Sequence, residues 1–183
     1  MFHQELNMNT FEGYPITSLY MSPDENVLFS QFANQSKHTS SRKIPDGIEA
    51  YEKENAAKIL EQLSRKIDPE GFSHLISIPS SREWVRQYAD SVSTALNVIH
   101  INPLKKIDPS KRRGPSDRTL DQNFICEEMN FNIKGIFIFD DIVAGGATIR
   151  NAIEAISKSM TTNPPISVIC LFDYREYLAR KGA

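Results

Sequence analysis

Two hydrophobic periods alternate along this chain. Short continuous apolar runs occur at 74–79 (HLISIP), 98–101 (VIHI), 136–139 (IFIF) and 166–172 (ISVICLF). Runs of this length read as buried strands. Between them apolar residues recur at helical spacing: Trp84, Val85, Tyr88, Val92 and Leu96 within 82–97, then Ile149, Ala152, Ile153, Ile156 and Met160. An earlier helix is predicted by the capping box Asp46-x-x-Glu49, followed by Ala56, Ile59, Leu60, Leu63 and Ile67 and ended by DPEG at 68–71. Near the start, YPITSLYM and NVLFSQFA read as strands around the turn-like SPDEN, as a hairpin or accessory flap. Strands alternating with helices predict right-handed crossovers and a mostly parallel sheet flanked by helices. The expected organisation is one α/β domain. Residues 1–45 form an N-terminal hairpin or hood, 46–172 the core, and 173–183 a C-terminal hood or tail.

Composition narrows this little. The 183 residues are 40% apolar and 24% charged, as in an ordinary globular domain. A net charge of -2 gives no whole-protein argument for nucleic acid or membrane binding. No apolar run reaches a membrane span, and the N-terminus lacks the pattern of a signal peptide. Cys126 and Cys170 are far apart, and Cys170 lies in an apolar run that predicts a free buried thiol. The four histidines show no metal-ligand spacing. A cytoplasmic protein without structural disulfides is expected.

The chemistry concentrates in GIFIFDDIVAGGATIR, residues 135–150. Two like charges, Asp140 and Asp141, end the most hydrophobic strand, at the edge where open α/β sheets bind ligands. Adjacent carboxylates repel and need donors or cations. A vicinal diol supplies two such donors, and a divalent cation with its waters is the other solution. Ala144, Gly145, Gly146 and Ala147 leave backbone N–H groups uncovered, and a helix is predicted to start near Thr148. That loop suits a phosphate, with the Thr148 hydroxyl as a further donor. Diol and phosphate side by side describe a ribose 5-phosphate. Neither a P-loop nor a G-x-G-x-x-G fingerprint is present.

The ordered composite IFIFDDIVAGGAT resembles the thirteen-residue signature of type I phosphoribosyltransferases, the site for 5-phosphoribosyl 1-pyrophosphate (PRPP). Orotate- and adenine-type enzymes and ComF-type competence proteins carry such domains. The resemblance implies that Asp140 and Asp141 hold the ribose hydroxyls and, directly or indirectly, Mg2+. It implies that Ala144 to Thr148 hold the 5-phosphate. It also implies a parallel core sheet, a small hood and a flexible basic loop. Some purine-salvage members carry an acid at the position of Ala144, which argues against that subgroup; adenine-type members often have alanine there.

The family also needs a pyrophosphate loop after the first core strand. Here Ser80, Ser81 and Arg82 follow HLIS, with Ser80-x-x-Glu83 as a capping box. They read either as a helix cap beside a surface arginine or as a pyrophosphate site. The segment 102–123 carries six basic residues and three acids, and its prolines and Gly114 predict irregular structure. By position it resembles the family's catalytic loop, with Lys111, Arg112 and Arg113 nearest its centre. The activity implied is Mg2+-dependent phosphoribosyl transfer between PRPP and an unidentified nitrogenous base, by an enzyme that family habit makes a homodimer. The alternative is a non-catalytic PRPP or nucleotide-binding regulator, or a ComF-like protein whose basic loop meets nucleic acid. Phe172 and Tyr174 are candidates to stack on a base or simply to pack.

Overall fold

The computed structural model describes residues 7–20, 67–80, 83–107, 124–129, 132–173 and 175. The predicted helix over 46–67, the NVLFSQFA strand, Ser81, Arg82, Lys111, Arg112, Arg113, Tyr174 and the side chain of Phe172 lie outside them, save that Ile67 itself is described.

Six strands form the main sheet: β1 (Asn7–Phe11), β2 (Tyr14–Tyr20), β3 (His74–Ser77), β4 (Ile99–Ile101), β7 (Ile136–Val143) and β8 (Ile166–Asp173). Their order is β1-β2-β8-β7-β3-β4, with only the β1–β2 pair antiparallel. A separate ribbon pairs β5 (Leu104–Lys106) with β6 (Phe124–Cys126). The α/β class and the mostly parallel sheet are thus as the apolar runs predict.

Helix α1 (Glu83–Ala95) joins β3 to β4, and α2 (Ala147–Ser159) joins β7 to β8. Helix α1 stops where Asn97 turns left-handed at φ 54. The Val98 N–H then returns to the Ser93 carbonyl and the Asn97 N–H to that of Thr94, which satisfies two carbonyls of the last turn. The helices cover opposite faces. Val85, Ala89, Val92 and Leu96 of α1 pack with Leu75, Phe137, Phe139 and Ile169, while Ile149, Ala152 and Ile156 of α2 pack with Ile76, Ile136, Ile138 and Val168. Phe72 stacks on Phe137 with ring centroids 4.2 Å apart. Each such fully buried side chain contributes about 1.5–3 kcal/mol relative to exposure.

Residues 7–20, within the stretch expected as a hairpin or hood, form a hairpin that joins the sheet, because β2 pairs in parallel with β8 through Ile16–Val168 and Ser18–Cys170. The turn between β1 and β2 is the two-residue Glu12-Gly13, with φ 49 and 87. Both left-handed, they give the twist that tight hairpins require. One expectation is corrected, the irregular structure of all of 102–123. Despite Pro103, Leu104–Lys106 is a strand, held by antiparallel pairing to Phe124–Cys126 and by burial of Leu104 and Phe124 beside α2.

The chain passes from β3 to β4 on one side and then back to β7 on the other side of β3. The order reverses between β3 and β7, and a crevice opens beyond the carboxyl ends of strands at such a point.

Candidate functional site

Strand β7 outruns its neighbour at this crevice. Its ladder with β3 ends at Ser77–Phe139, with Ile78 N–H donating to the Phe139 carbonyl at 2.8 Å. Pairing with β8 continues through Asp140–Cys170 to Val143–Asp173. The β8 side therefore stays hydrogen-bonded while the β3 side falls away, and the acidic pair stands at that step.

Asp140 is 7% exposed. Its Oδ1 accepts the Asp141 N–H at 2.9 Å, and Asp141 Oδ1 accepts the Ile142 N–H at 3.0 Å. Burial, then the charge of Asp141, pushes the Asp140 carboxyl well above the usual carboxylate range; a hydrogen bond between the two carboxyls acts in the same direction. The Lys106 ammonium works against that rise. Lys106, on β5, is thus a described cation whose field reaches the acidic pair. It belongs to the basic segment, but nothing in the sequence separates it from that segment's other cations.

The small-residue loop follows directly. Gly145 is exposed, and a methyl group added there would meet nothing within 4 Å. Gly146 is different. Its φ is 76, and an added Cβ would lie 2.2 Å from the Phe11 ring. Only glycine fits, on both counts. It is also the N-cap of α2, where no side chain caps the helix and no acid stands in the first turn. The first backbone bond of the helix is Arg150 N–H to the Gly146 carbonyl, 3.0 Å. The N–H groups of Ala147, Thr148 and Ile149 therefore have no acceptor within the helix, and they carry its positive end. Thr148 and Ala144 are half-buried beside them.

Phe11 brings the N-terminal hairpin into this site, which sequence reading missed. Arg175 lies 5.2 Å and Arg150 5.9 Å from its ring centroid. Glu12 accepts from Arg150 Nε at 3.0 Å. Asp173 accepts from Arg175 Nε at 2.9 Å and Nη2 at 2.6 Å, and Arg175 Nη1 donates to the Thr10 carbonyl at 3.1 Å. The clue available in sequence is the Glu-Gly turn placed just after Phe11.

Of the expected pyrophosphate loop, Ser80 is described, exposed three residues past Ser77, where the β3–β7 ladder ends. Cys126 and Cys170 are both free thiols, and burial, with the charges of Asp173 and Asp140, pushes that of Cys170 far up. Among the described residues no group of three or more His, Cys, Asp or Glu side chains could hold a metal by itself. No helix of the described residues is long and apolar enough to cross a membrane.

No protein-family model matches the chain, and no curated protein matches it. Among solved structures it is similar to an adenine phosphoribosyltransferase at 14% identity and TM-score 0.42, covering 71% of this chain and 72% of that one. For the adenine phosphoribosyltransferase of Leishmania donovani the values are 12% and 0.40, over 66% and 65%. The chain is also similar to the Trypanosoma brucei enzyme solved with AMP, pyrophosphate and ribose 5-phosphate, at 12% and 0.42 over 92% and 87%. The similarity is thus to adenine phosphoribosyltransferase structures, at low identity.

Proposed function

We propose that this chain transfers a phosphoribosyl group between PRPP and a nitrogenous base with Mg2+. One observation carries the reading. A buried carboxyl whose proton affinity is raised by burial and by the neighbouring Asp141 stands at the switch point of a parallel sheet, followed within six residues by a helix start open to anions. Such a carboxyl is stabilised as the anion by hydroxyl donors or a cation, and the helix start by a phosphate.

In this reading Asp140 and Asp141 accept from the two ribose hydroxyls, and the N–H groups of 144–148 with the Thr148 hydroxyl hold the 5-phosphate. Ser80, Ser81 and Arg82 take the pyrophosphate, and Lys111, Arg112 and Arg113 neutralise it as it leaves. The C1–oxygen bond to pyrophosphate breaks, a C1–nitrogen bond to the base forms, and the base gives up a proton. The transition state carries positive charge on the sugar, so rigid holding and exclusion of water matter more than a protein nucleophile. Asp140 and Asp141 would hold a divalent cation, directly or through water. When bound, Mg2+ would lessen the negative charge building on the pyrophosphate.

Thermal unfolding tests this. PRPP with Mg2+ at a hundred times its Kd should add about 2.7 kcal/mol of stability. That is a rise of roughly 5–10 °C for a chain of this size. Asp140→Asn with Asp141→Asn should abolish the rise and leave the fold intact; an unchanged rise would sink the site assignment. Release of pyrophosphate with one of a panel of bases would then establish transfer. A rise with ribose 5-phosphate or a mononucleotide, but none with PRPP, would replace transfer by nucleotide binding.

A further inference from the structure

A line of four side chains runs from the solvent face of α1 to the carboxyl ends of β4 and β3. Asp90 Oδ1 lies 2.5 Å from His100 Nδ1. His100 Nε2 lies 3.0 Å from Ser77 Oγ, and the Ser77 hydroxyl donates to Asn102 Oδ1 at 2.7 Å. His100 sits opposite Leu75 in the β3–β4 ladder, so its ring shares a face with Leu75 and Ser77, the face α1 covers. The ring is 7% exposed, whereas Asp90 is 56% exposed. The order acid, imidazole, hydroxyl matches a nucleophile's relay. Ser77 is nevertheless buried and its proton points to Asn102, so it is not poised to attack a substrate.

The proton count says what the line does instead. Ser77 has one hydroxyl proton. With that proton given to Asn102, its oxygen accepts from His100 Nε2–H. A carboxylate only accepts, so Nδ1 carries a proton toward Asp90 as well. In this arrangement both ring nitrogens donate. When the ring loses a proton, Nδ1–H stays with Asp90 and Nε2 becomes an acceptor. The Ser77 hydroxyl must then rotate to Nε2, and Asn102 must turn its NH2 toward Ser77 Oγ to keep that oxygen satisfied. The two states differ in the facing of the Asn102 amide.

The Ser77–Asn102 end of the line adjoins the candidate site. Asn102 directly follows β4. Ser77 ends β3, and the next residue, Ile78, donates to the carbonyl of Phe139, just before Asp140. We propose that His100 is a positioning residue for the ligand-binding edge of the sheet, its proton count choosing between two orientations of Ser77 and Asn102. Other groups near it are few among the described residues. Helix α1 supplies Asp90, with Arg86 one turn earlier. Strand β3 supplies Ser77, while His74 pairs with Ile99, faces the other side of the sheet and meets Ser73 Oγ at 2.8 Å. The turn of Asn102 stands by itself; its effect on ligand rests on the function proposed above.

Nitrogen-15 spectra of the full chain, taken over a pH interval that spans the loss of the ring's second proton, decide the turn. At the acid end both His100 ring nitrogens should be protonated, and at the other end only Nδ1. The Asn102 side-chain amide should shift over the same interval. A ring that settles with its proton on Nε2, or an Asn102 amide that ignores the ring, would overturn the proposal. PRPP–Mg2+ affinity is the second readout, and it should change about fivefold or more over that interval. Because Asp140 also titrates above its usual range, the comparison is with His100→Gln, which offers an amide near the Nε2 position. That variant should keep most of the affinity and lose the His100 part of the pH dependence; an unchanged profile counts against the proposal. If the native chain ignores PRPP at every pH, the proposed function falls and the spectra still decide the turn.

Discussion

Asp173 and Asp140 stand near the carboxyl ends of neighbouring strands, and their surroundings are opposite. The Asp173 side chain is 2% exposed and gripped by Arg175 through two guanidinium nitrogens and a backbone N–H. Asp140 is buried too, but the strongest charge acting on it is a second carboxyl. The first arrangement is finished within the protein: Arg175 reaches on to Thr10 and Phe11 and fastens the hairpin. The second, in the proposed function, would be completed by the hydroxyls of a substrate or by a cation. A buried acid with its cation is satisfied within the fold, whereas a buried acid beside its like is the kind of group that the proposed function uses to bind.

The two clusters meet through Phe11 and Gly146, so the largest expected effect comes from separating them. Gly146→Ala forces a left-handed alanine against the Phe11 ring and should cost about 2–5 kcal/mol. Gly145→Ala, with open space around it, should stay within about 0.5 kcal/mol. Equal midpoints for the two in urea would show that the ring does not brace the loop. Next, Arg175→Ala leaves Asp173 buried without its cation and should cost about 2–4 kcal/mol. A neutral result in the same denaturation would erase the contrast between the two acids.

The smallest expected effect has the other sign. Asp140→Asn should stabilise the ligand-free protein by about 1 kcal/mol at pH 7, or roughly 3 °C. The sign follows from the raised proton affinity in the fold. Ionising Asp140 costs the folded state stability as pH climbs above about 3.9, the unfolded value. The advantage of asparagine should therefore vanish near pH 4 and grow toward neutrality. Destabilisation at pH 7 would make Asp140 a structural residue.

What was legible in the chain follows the length of its signals. IFIF, and ISVICLF apart from Ser167, are apolar because both faces of their strands are covered, and α1 and α2 carry clean helical spacing. Asp140, Asp141 and the glycine loop were legible because like charges and absent side chains are anomalies that a local reading can detect. Strand β1, Asn-Met-Asn-Thr-Phe, was not, since an edge strand needs few apolar residues and its partner is supplied by the hairpin. Strand β5 was obscured by Pro103 and two lysines, although an outward-facing ribbon tolerates both. Nothing local ties Phe11 to Gly146, or His100 to Ser77. Those links depend on strand register, which no single stretch encodes.

The placement of β2 against β8 also bears on when the molecule is finished. Thr10 and Arg175, joined by a hydrogen bond, are 165 residues apart. A ribosome releases the hairpin well before its neighbour in the sheet and before both arginines that clasp Phe11. Contacts this distant in sequence form late, because the intervening chain must first be gathered in. During synthesis the Gly146 turn therefore exists before the ring that presses on it. The part of the molecule that would receive a phosphate is among the last to set, and a chain released short of Arg175 would leave it unbraced.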